Sequence, residues 1–285
     1  MKDWLGYFSD LLQEPLSSIR HMTGGDISQA FAVEGPAQSY FIKIHAGKQA
    51  SAMFDAEYDG LIELGQCESV LVPHIVKKGI VQQRAFIIMD FIAATPAQDL
   101  FWENLAVSIA SLHRQTSDRF GLSYPNFIGS LAQSNLWQNE WSGFYLSQRL
   151  LPQTQMAIDE GLLNQYDLKS ILSLGKRLDD LCPIESSSLI HGDLWSGNWI
   201  CGPDQKAYLI DPSISYNHRE MDLAMACLFG GFHQRFFDCY HSQFPLSPGF
   251  SDRVDIYQLY YLLVHLNLFG RSYLSSVQDI LQKYS

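Results

Sequence analysis

The hydrophobic pattern of the chain changes at about residue 92, and this change limits the folds that it can adopt. Before that point short apolar runs dominate. "QAFAVEGPAQSYFIKIH", from residue 29, predicts two strands around a Gly-Pro turn. One stretch with helical spacing, "SAMFDAEYDGLIELG", interrupts the strands and ends at Gly65. Two further strands follow in "LVPHIVKKGIVQQRAFIIMDFI", with a turn expected near Lys78 and Gly79.

Beyond the break "AATPAQ" the apolar residues recur mainly at helical spacing. This holds for "ENLAVSIASLHRQ", "EMDLAMACLFG" and "RVDIYQLYYLLVHLNLF", which are separated by Gly or Pro. We therefore predict an α+β chain of two lobes. Residues 1–92 form a small antiparallel sheet with one helix, and residues 93–285 form a larger helical lobe.

Composition excludes several classes of protein. With 47% hydrophobic and 17% charged residues among 285, the chain can bury enough apolar surface to fold as a globular protein. A formal net charge of −11 argues against nucleic acid or an anionic membrane as the main partner. The five cysteines are widely spaced and form no CxxC pair. The first residues lack the pattern of a signal peptide, so a cytoplasmic location is expected, while the oligomeric state stays open.

The stretch "HGDLWSGNWI" carries the residues that point most clearly to chemistry. Asn198 follows Asp193 by five positions, and Asp211 closes a further apolar segment, "AYLIDPS". Phosphoryl transfer from ATP needs a carboxylate at the attacking hydroxyl and hard oxygen ligands for Mg²⁺. Protein kinases use an Asp, an Asn five residues later and a second Asp after a short hairpin. The order and spacing therefore predict a kinase-type site.

Two other interpretations compete with this one. A single HxD triplet, or an Asp at the end of a strand, is more often a turn or capping residue. A metallohydrolase is the main chemical alternative, with the ligands His191, Asp193, Asp211 and His218. That alternative leaves Asn198 without a role, so the kinase interpretation is preferred.

A second set of residues lies in the predicted small lobe. Lys43 belongs to the strand "YFIKIH", and Glu57 belongs to the helix that follows. A strand Lys paired with a helix Glu holds the Lys against the nucleotide phosphates in kinases. Taken alone, Lys43 is equally compatible with a solvated strand position, and Glu57 shares its helix with other acidic residues.

Nucleotide contacts are also expected from backbone groups. The glycines Gly24 and Gly25 lie between predicted strands, where backbone N–H groups can meet phosphates, although "TGGDISQAF" is not a GxGxxG motif. The strand "FIIMDFIAA" runs into the predicted inter-lobe connection. Its Met89 is expected to line the adenine pocket, and the backbone expected to face the adenine edge comprises Asp90, Phe91, Ile92 and Ala93.

The chain resembles the fructosamine kinase (ketosamine 3-kinase) family, whose relatives include the aminoglycoside phosphotransferases of the protein kinase-like fold. The resemblance is carried by "HGDLWSGNWI", "LIDPSISYNHREMDLAM" and "YQLYYLLVHLNLFG", including Trp195 and Gly197. It implies ATP-dependent phosphorylation of the sugar 3-hydroxyl of a ketosamine, free or bound to a protein. The phosphorylated adduct is unstable and leaves, so the resemblance implies deglycation.

The resemblance also implies a role for individual residues. Asp193 is the catalytic base, Asn198 and Asp211 are Mg²⁺ ligands, and Lys43 with Glu57 positions the phosphates. Two further residues are expected to support the catalytic loop rather than to react, namely His191 and Asp222.

The acceptor pocket is the least constrained part of the site. Aromatic faces and a polar tip suit a sugar-amine adduct, and the candidates are Trp137, Trp141, Trp195 and His218. Core packing is an equal alternative for Trp137 and Trp141, because they are four residues apart. Two other functions also remain open, a kinase of an aminoglycoside, choline or amino sugar and a non-catalytic nucleotide-binding scaffold.

Overall fold

The computed structural model describes residues 2–22 and 28–284. The N-terminal part is built on a five-stranded antiparallel sheet in the order β1-β2-β3-β5-β4. Its strands are β1 (Ser18–Met22), β2 (Gln29–Glu34), β3 (Ser39–His45), β4 (Ile75–Val81) and β5 (Arg84–Asp90). The antiparallel hairpin and the helix after it were both expected from the sequence, and both are present. The two-lobed α+β fold is thereby confirmed.

Two helices, rather than the single one expected, cover this sheet. Strand side chains alternate between faces, so β5 sends Phe86 and Ile88 to one face and Ile87 and Met89 to the other. The first face packs against α1 (Lys2–Leu12) through Phe8. The second face packs against α2 (Ala50–Leu64). Burial on both faces explains why β5 reads as one unbroken apolar run.

The turn expected near Lys78 and Gly79 lies elsewhere. Both residues belong to β4, and the chain reverses at Gln82 and Gln83, which have φ angles of 46° and 61°. Two successive residues with positive φ give the tight hairpin that matches strand twist, a geometry usually marked by Asn-Gly. Gly79 instead accommodates an aromatic ring, because a Cβ there would lie 3.0 Å from Phe86 Cζ.

The larger lobe is mainly helical. An extended segment after β5 leads to it, and the predicted boundary between residues 92 and 93 falls inside that segment. Its helices are α3 (Asp99–Leu112), α4 (Trp141–Phe144), α5 (Leu151–Asp159), α6 (Gln165–Gly175), α7 (Leu178–Leu181), α8 (Glu220–Leu228), α9 (Gln234–Gln243), α10 (Phe250–Phe269) and α11 (Leu274–Tyr284). A π-helical segment, Tyr145–Leu150, joins α4 to α5.

Short strands in this lobe place the loops of the candidate site. They are β6 (Thr116–Ser117), β7 (Asn126–Ile128), β8 (Leu131–Gln133), β9 (Ser187–Ile190), β10 (Trp199–Cys201), β11 (Ala207–Leu209) and β12 (Ser215–Asn217). Three of them form a sheet in the order β12-β9-β6, and β10 with β11 and β7 with β8 form hairpins. One apolar cluster surrounds α10 and a second surrounds α3. No helix in the described ranges is both long enough and apolar enough to cross a bilayer.

A buried ion pair ties α8 to α10. The guanidinium of Arg253 donates from Nε and Nη2 to the two carboxylate oxygens of Glu220, at 2.8 and 2.6 Å. The Glu220 side chain is fully buried, and that of Arg253 is 8% exposed. Glu220 also lies in the first turn of α8, where the helix dipole favours a negative charge. The pair therefore fixes the start of α8 against the central helix.

We expect Glu220→Ala to lower the free energy of unfolding by about 3–5 kcal/mol, since it leaves the Arg253 charge buried and unpaired. Urea unfolding followed by circular dichroism measures the change. Glu103→Ala is the control, because the ion pair of Glu103 with Arg235 is exposed and such pairs contribute about 0–1 kcal/mol. Equal losses in the two variants would contradict the assigned importance of the buried pair.

Candidate active site

A short hairpin brings the separated oxygen-bearing side chains of the motif together. Strand β9 leads into the loop of residues 191–198, and the hairpin of β10 and β11 then returns the chain to that loop. Ile210 N donates to Asn198 O at 3.1 Å, so Asp211 lies beside Asn198 despite their sequence separation. This return explains why the motif needs a strand-turn-strand segment between its Asn and its second Asp.

Asp193 and Asn198 are directly hydrogen bonded. Asn198 Nδ2 donates to Asp193 Oδ2 at 2.9 Å and to the Asp193 carbonyl at 2.8 Å. Burial raises the pKa of Asp193 to about 7, the hydrogen bond from Asn198 opposes this rise, and the negative charges of Asp211 and Asp222 add to it. The loop therefore holds a carboxylate whose basicity is well above that of an ordinary aspartate.

The N-terminal lobe contributes a cation to the same place. Lys43 Nζ, from β3, contacts Glu57 Oε1 of α2 at 2.8 Å and also pairs with Asp211 Oδ1. Burial alone would lower the pKa of Lys43, but the charges of Asp211 and Glu57 outweigh it and raise that pKa. The pKa of Glu57 rises to about 7 because of burial, despite the attraction of Lys43. One charged triad thus joins the sheet, the inserted helix and the loop after β11.

Asp222 lies at the start of α8, beneath the loop of residues 191–198, which is called the catalytic loop below. Its two carboxylate oxygens accept hydrogen bonds from His191 N at 2.7 Å and Gly192 N at 2.8 Å. His113 Nε2 lies 3.1 Å from the same carboxylate, and His113 Nδ1 lies 2.8 Å from Tyr240 OH. All three side chains are buried. His113 and Tyr240 were missed from the sequence, where "SLHRQ" reads only as the end of a helix.

The His191 side chain has both ring nitrogens engaged. Nδ1 accepts from Asp193 N at 3.3 Å, and Nε2 donates to Ile210 O at 3.0 Å. Burial lowers the pKa of His191, which keeps the ring neutral and consistent with these two roles. No group of three His, Cys, Asp or Glu side chains suited to a metal occurs in the part of the chain that the structure describes. Because both ring nitrogens of His191 are engaged, this residue is not free to serve as a ligand in the metallohydrolase alternative.

The backbone beside the site adopts unusual conformations at two positions. Gly192 has φ +83°, and a Cβ there would lie 2.0 Å from Ser213 O. Asp211 has φ 53°, a left-handed conformation that few residues other than glycine adopt. Ser213 N donates to His191 O at 2.8 Å, which joins the two loops at this close approach. A side chain at position 192 would push the loops apart.

The oxygen donors present are suited to Mg²⁺. Nδ2 of Asn198 is committed to Asp193, and no hydrogen bond within the described residues engages its Oδ1. That oxygen and the Asp211 carboxylate are the hard ligands that Mg²⁺ prefers, and Mg²⁺ usually takes its remaining ligands from phosphates and water. Asn198 and Asp211 therefore fit the metal role expected from the sequence.

The predicted nucleotide residues are only partly available to a ligand. Asp90 N donates to His74 O and Phe91 N to Ser39 O, both within the N-terminal lobe. The N–H groups of Ile92 and Ala93 have no partner among the described residues, which leaves them as the free donors of this segment. The Met89 side chain packs under α2. Gly24 and Gly25 fall outside the described residues, between β1 and β2.

The four acceptor-site candidates lie in different environments. Trp195, in the catalytic loop, is 38% exposed, and its ring covers Gly197. Trp137 is half-buried, with its ring 6.2 Å from that of Tyr216. The other two are buried in the helical lobe.

The two buried candidates, Trp141 and His218, belong to the core packing. Trp141 Nε1 donates to Asn217 Oδ1 at 2.8 Å, and the ring stacks on Tyr145 at 4.8 Å. His218 is 1% exposed, and its Nε2 donates to Pro183 O at 3.2 Å. Neither ring offers a free face, so neither residue can contact an acceptor in this structure.

Comparison with known proteins identifies relatives over nearly the whole chain. The fructosamine kinase family model matches residues 7–285. A protein from Enterococcus faecium named a probable ketoamine kinase is 37% identical over 267 residues, which are 92% of this chain and 94% of the relative. Another of that name, from Lactiplantibacillus plantarum, is 36% identical over 280 residues, covering 96% and 98%.

Solved structures agree with this relationship. A protein from Haemophilus somnus described as a fructosamine-3-kinase has a TM-score of 0.88 and 27% identity, with 99% of this chain and 96% of the other covered. A counterpart from Thermobifida fusca gives 0.87 and 29%, covering 99% and 98%. Aminoglycoside phosphotransferase APH(4)-Ia, at 0.65 and 15% with 98% of each chain covered, shares the fold. The chain belongs to the fructosamine kinase family, and it is an ATP-dependent phosphotransferase with a hydroxyl acceptor.

Proposed function

We propose that this protein transfers the γ-phosphoryl group of ATP to the sugar 3-hydroxyl of ketosamines, on free amines or on proteins, and thereby promotes deglycation. The observation that carries the proposal is the convergence of Lys43, Asp193, Asn198 and Asp211 at one junction of the two lobes. The names of the relatives, ketoamine kinase and fructosamine-3-kinase, support the acceptor class. APH(4)-Ia was crystallised with AMP-PNP, which supports a nucleotide in this cleft.

Asp193 is the proposed base. As the sugar 3-oxygen bonds to the γ-phosphorus, the bond from that phosphorus to the β,γ-bridging oxygen breaks, and ADP leaves. The proton of the hydroxyl passes to the Asp193 carboxylate, which Asn198 orients through its hydrogen bond of 2.9 Å. A base is most effective when its pKa lies near the working pH, and burial brings that of Asp193 to about 7.

The remaining residues position charge. Asn198 and Asp211 are the proposed Mg²⁺ ligands, and the ion when bound neutralises the phosphate charge that develops during transfer. Lys43 is held by Glu57 at 2.8 Å, so its ammonium faces the cleft beside Asp211. Such catalysis depends mainly on alignment and electrostatic stabilisation, because the phosphoryl transition state needs little covalent help.

The acceptor is proposed to lie over the catalytic loop, next to Trp195. The backbone N–H of Trp195 donates to Asp193 O at 3.1 Å, and the indole ring is partly open to solvent. An indole face suits a sugar ring or an aliphatic amine substituent. A ketosamine placed there has its hydroxyls near the Asp193 carboxylate. After transfer, the 3-phosphorylated adduct is unstable and separates from its amine.

We expect Asp193→Asn to retain the fold and to reduce kcat by about 10²–10⁴-fold, the usual contribution of a general base. The amide oxygen can still accept from Asn198, but it cannot take the proton. Coupled ADP release measures turnover, and circular dichroism with thermal unfolding measures folding. Asp180→Asn, at an exposed position on α7, is the matched control. Unimpaired turnover in Asp193→Asn would refute its role as base.

Removing Asp211 should weaken the use of Mg²⁺ more than it weakens folding. In Asp211→Ala, Lys43 still has Glu57 as its partner, and the Asp211 side chain is 39% exposed. Calorimetric titration with AMP-PNP, with Mg²⁺ and then with EDTA, should show that most of the metal-dependent gain in affinity is lost. The same gain in wild type and variant would exclude Asp211 as a ligand.

The acceptor class is tested with a small panel. ATP and Mg²⁺ are combined with fructosyl-lysine, a ribulosamine, an aminoglycoside or choline, and phosphorus NMR identifies any product. We expect a 3-phosphate on a ketosamine and no turnover with the other two compounds. Preferential phosphorylation of the aminoglycoside or choline would reject the proposed acceptor, and ATP binding without turnover of any acceptor would favour a scaffold.

A further inference from the structure

Four buried polar side chains lie under the loop that follows Asp211, and the proposed reaction assigns them no role. They are Asn126, Gln133, Asn135 and Arg149, here called the Asn126–Arg149 network, and each is at most 4% exposed. Two of them form a cross-strand pair of the hairpin β7–β8, where Asn126 lies opposite Gln133. Arg149 comes from the π-helical segment between α4 and α5.

Each end of the network contacts the segment that carries Asp211. Asn126 Nδ2 donates to Ile214 O at 2.8 Å, and Gln133 Nε2 donates to Ser213 Oγ at 3.1 Å. Arg149 Nη2 donates to Ser215 Oγ at 3.2 Å. Side chains from other segments thus hold three successive residues, and the first of them, Ser213, lies two positions after Asp211.

The members of the network are also bonded to one another. Asn126 Oδ1 accepts from Gln133 Nε2 at 2.7 Å and from Asn135 Nδ2 at 2.9 Å. Asn135 Oδ1 accepts from Arg149 Nη2 at 2.7 Å. Because each amide uses both its oxygen and its nitrogen, the orientation of one side chain determines the orientation of the next. The network therefore behaves as one rigid support.

Burial of the Arg149 guanidinium charge at this place costs free energy. It is 1% exposed, and no Asp or Glu of the described ranges forms an ion pair with it. Carbonyl, amide and hydroxyl oxygens accept hydrogen bonds from its two terminal nitrogens, including Ser134 O at 2.7 Å, and the centroid of the Phe144 ring lies 4.6 Å from its Cζ. Apolar side chains often replace buried charges without loss of stability. Stability alone therefore does not account for this arrangement.

The conformation of Asp211 supplies a reason for such a support. Its φ of 53° lies in the left-handed region, which is disfavoured for an L-residue relative to the right-handed conformation. Strained conformations persist where the surroundings determine them from several sides. On one side Ser213 N donates to His191 O at 2.8 Å. On the other side lies the Asn126–Arg149 network.

We propose that the Asn126–Arg149 network positions Asp211 against Asn198, so that its hydrogen bonds to Ser213, Ile214 and Ser215 set the affinity of the site for Mg²⁺ with nucleotide. This inference rests on the proposed function. The four residues touch neither the reacting groups nor the proposed metal ligands directly, so they are positioning residues. Direct hydrogen-bond partners of metal ligands typically change metal affinity about 10–100-fold when they are lost. We expect the lower end of that range here, because the network acts on Asp211 through Ser213, Ile214 and Ser215.

The test compares two buried glutamines. Gln133→Met removes the donor to Ser213 at nearly constant volume. The control is Gln153→Met, because Gln153 is also buried, at 3% exposed, and its Oε1 accepts from Asn267 Nδ2 at 2.8 Å on α5 and α10. Calorimetry measures the dissociation constant of AMP-PNP with Mg²⁺ and with EDTA for each protein, and thermal unfolding measures stability. Ser213→Ala, which removes the acceptor, is the second variant if Gln133→Met folds poorly.

We expect Gln133→Met to lose about tenfold of the Mg²⁺-dependent gain in AMP-PNP affinity, with the affinity in EDTA unchanged, while Gln153→Met keeps the full gain. A full gain in Gln133→Met, or equal losses in both glutamine variants, would overturn the inference and leave the proposed function standing. If wild type itself shows no Mg²⁺-dependent gain, the proposed function falls and this inference falls with it.

Discussion

The carboxylate of Asp222 is the interaction on which the geometry of the site depends. It is fully buried, and it meets three donors, the backbone N–H groups of His191 and Gly192 and the imidazole of His113. A buried carboxylate without partners would cost several kcal/mol or would take up a proton. Because His113 directly follows α3 and Asp222 lies in α8, satisfying this one charge fixes the catalytic loop to the ends of two helices at once. The position of Asp193 depends on that arrangement, because Asp193 lies in the same loop.

The second constraint is the alignment of the two lobes, since neither carries the complete site. Lys43 and Glu57 come from the sheet and from α2, whereas Asp211 comes from the loop after β11. Helix α2 also touches that loop directly, because a Cβ on Gly60 would lie 3.0 Å from Pro212 Cγ. A side chain at position 60 would press on Pro212, and the two would have to move apart. The small residue therefore allows charged groups of both lobes to meet.

The sequence predicted the fold class and placed the charged residues correctly in their elements, because those features follow from local periodicity and fixed spacing. Asn198 and Asp211 meet through a short hairpin, which a single sequence can indicate. A single sequence does not indicate which distant segments contact each other. Trp141 and His218 are the clearest cases. The sequence around an aromatic residue near a motif does not distinguish a residue of the core from one that lines a binding pocket. The turn at Gln82 and Gln83 was missed because neither residue has the usual turn chemistry.

The Asn126–Arg149 network is a set of such contacts to which we assign a role in the proposed function. Its four residues are scattered over a hairpin, a loop and a π-helical segment, and nothing in their sequence spacing links them to Asp211. Yet Asp211, the proposed metal ligand, has a left-handed conformation, and it keeps its direction only if neighbouring atoms oppose its relaxation. In this proposal the motif supplies the metal ligands, and distant polar residues hold them in the geometry that binding needs. The residues of the motif are therefore close together in the sequence, whereas the residues proposed to fix their geometry are far from them.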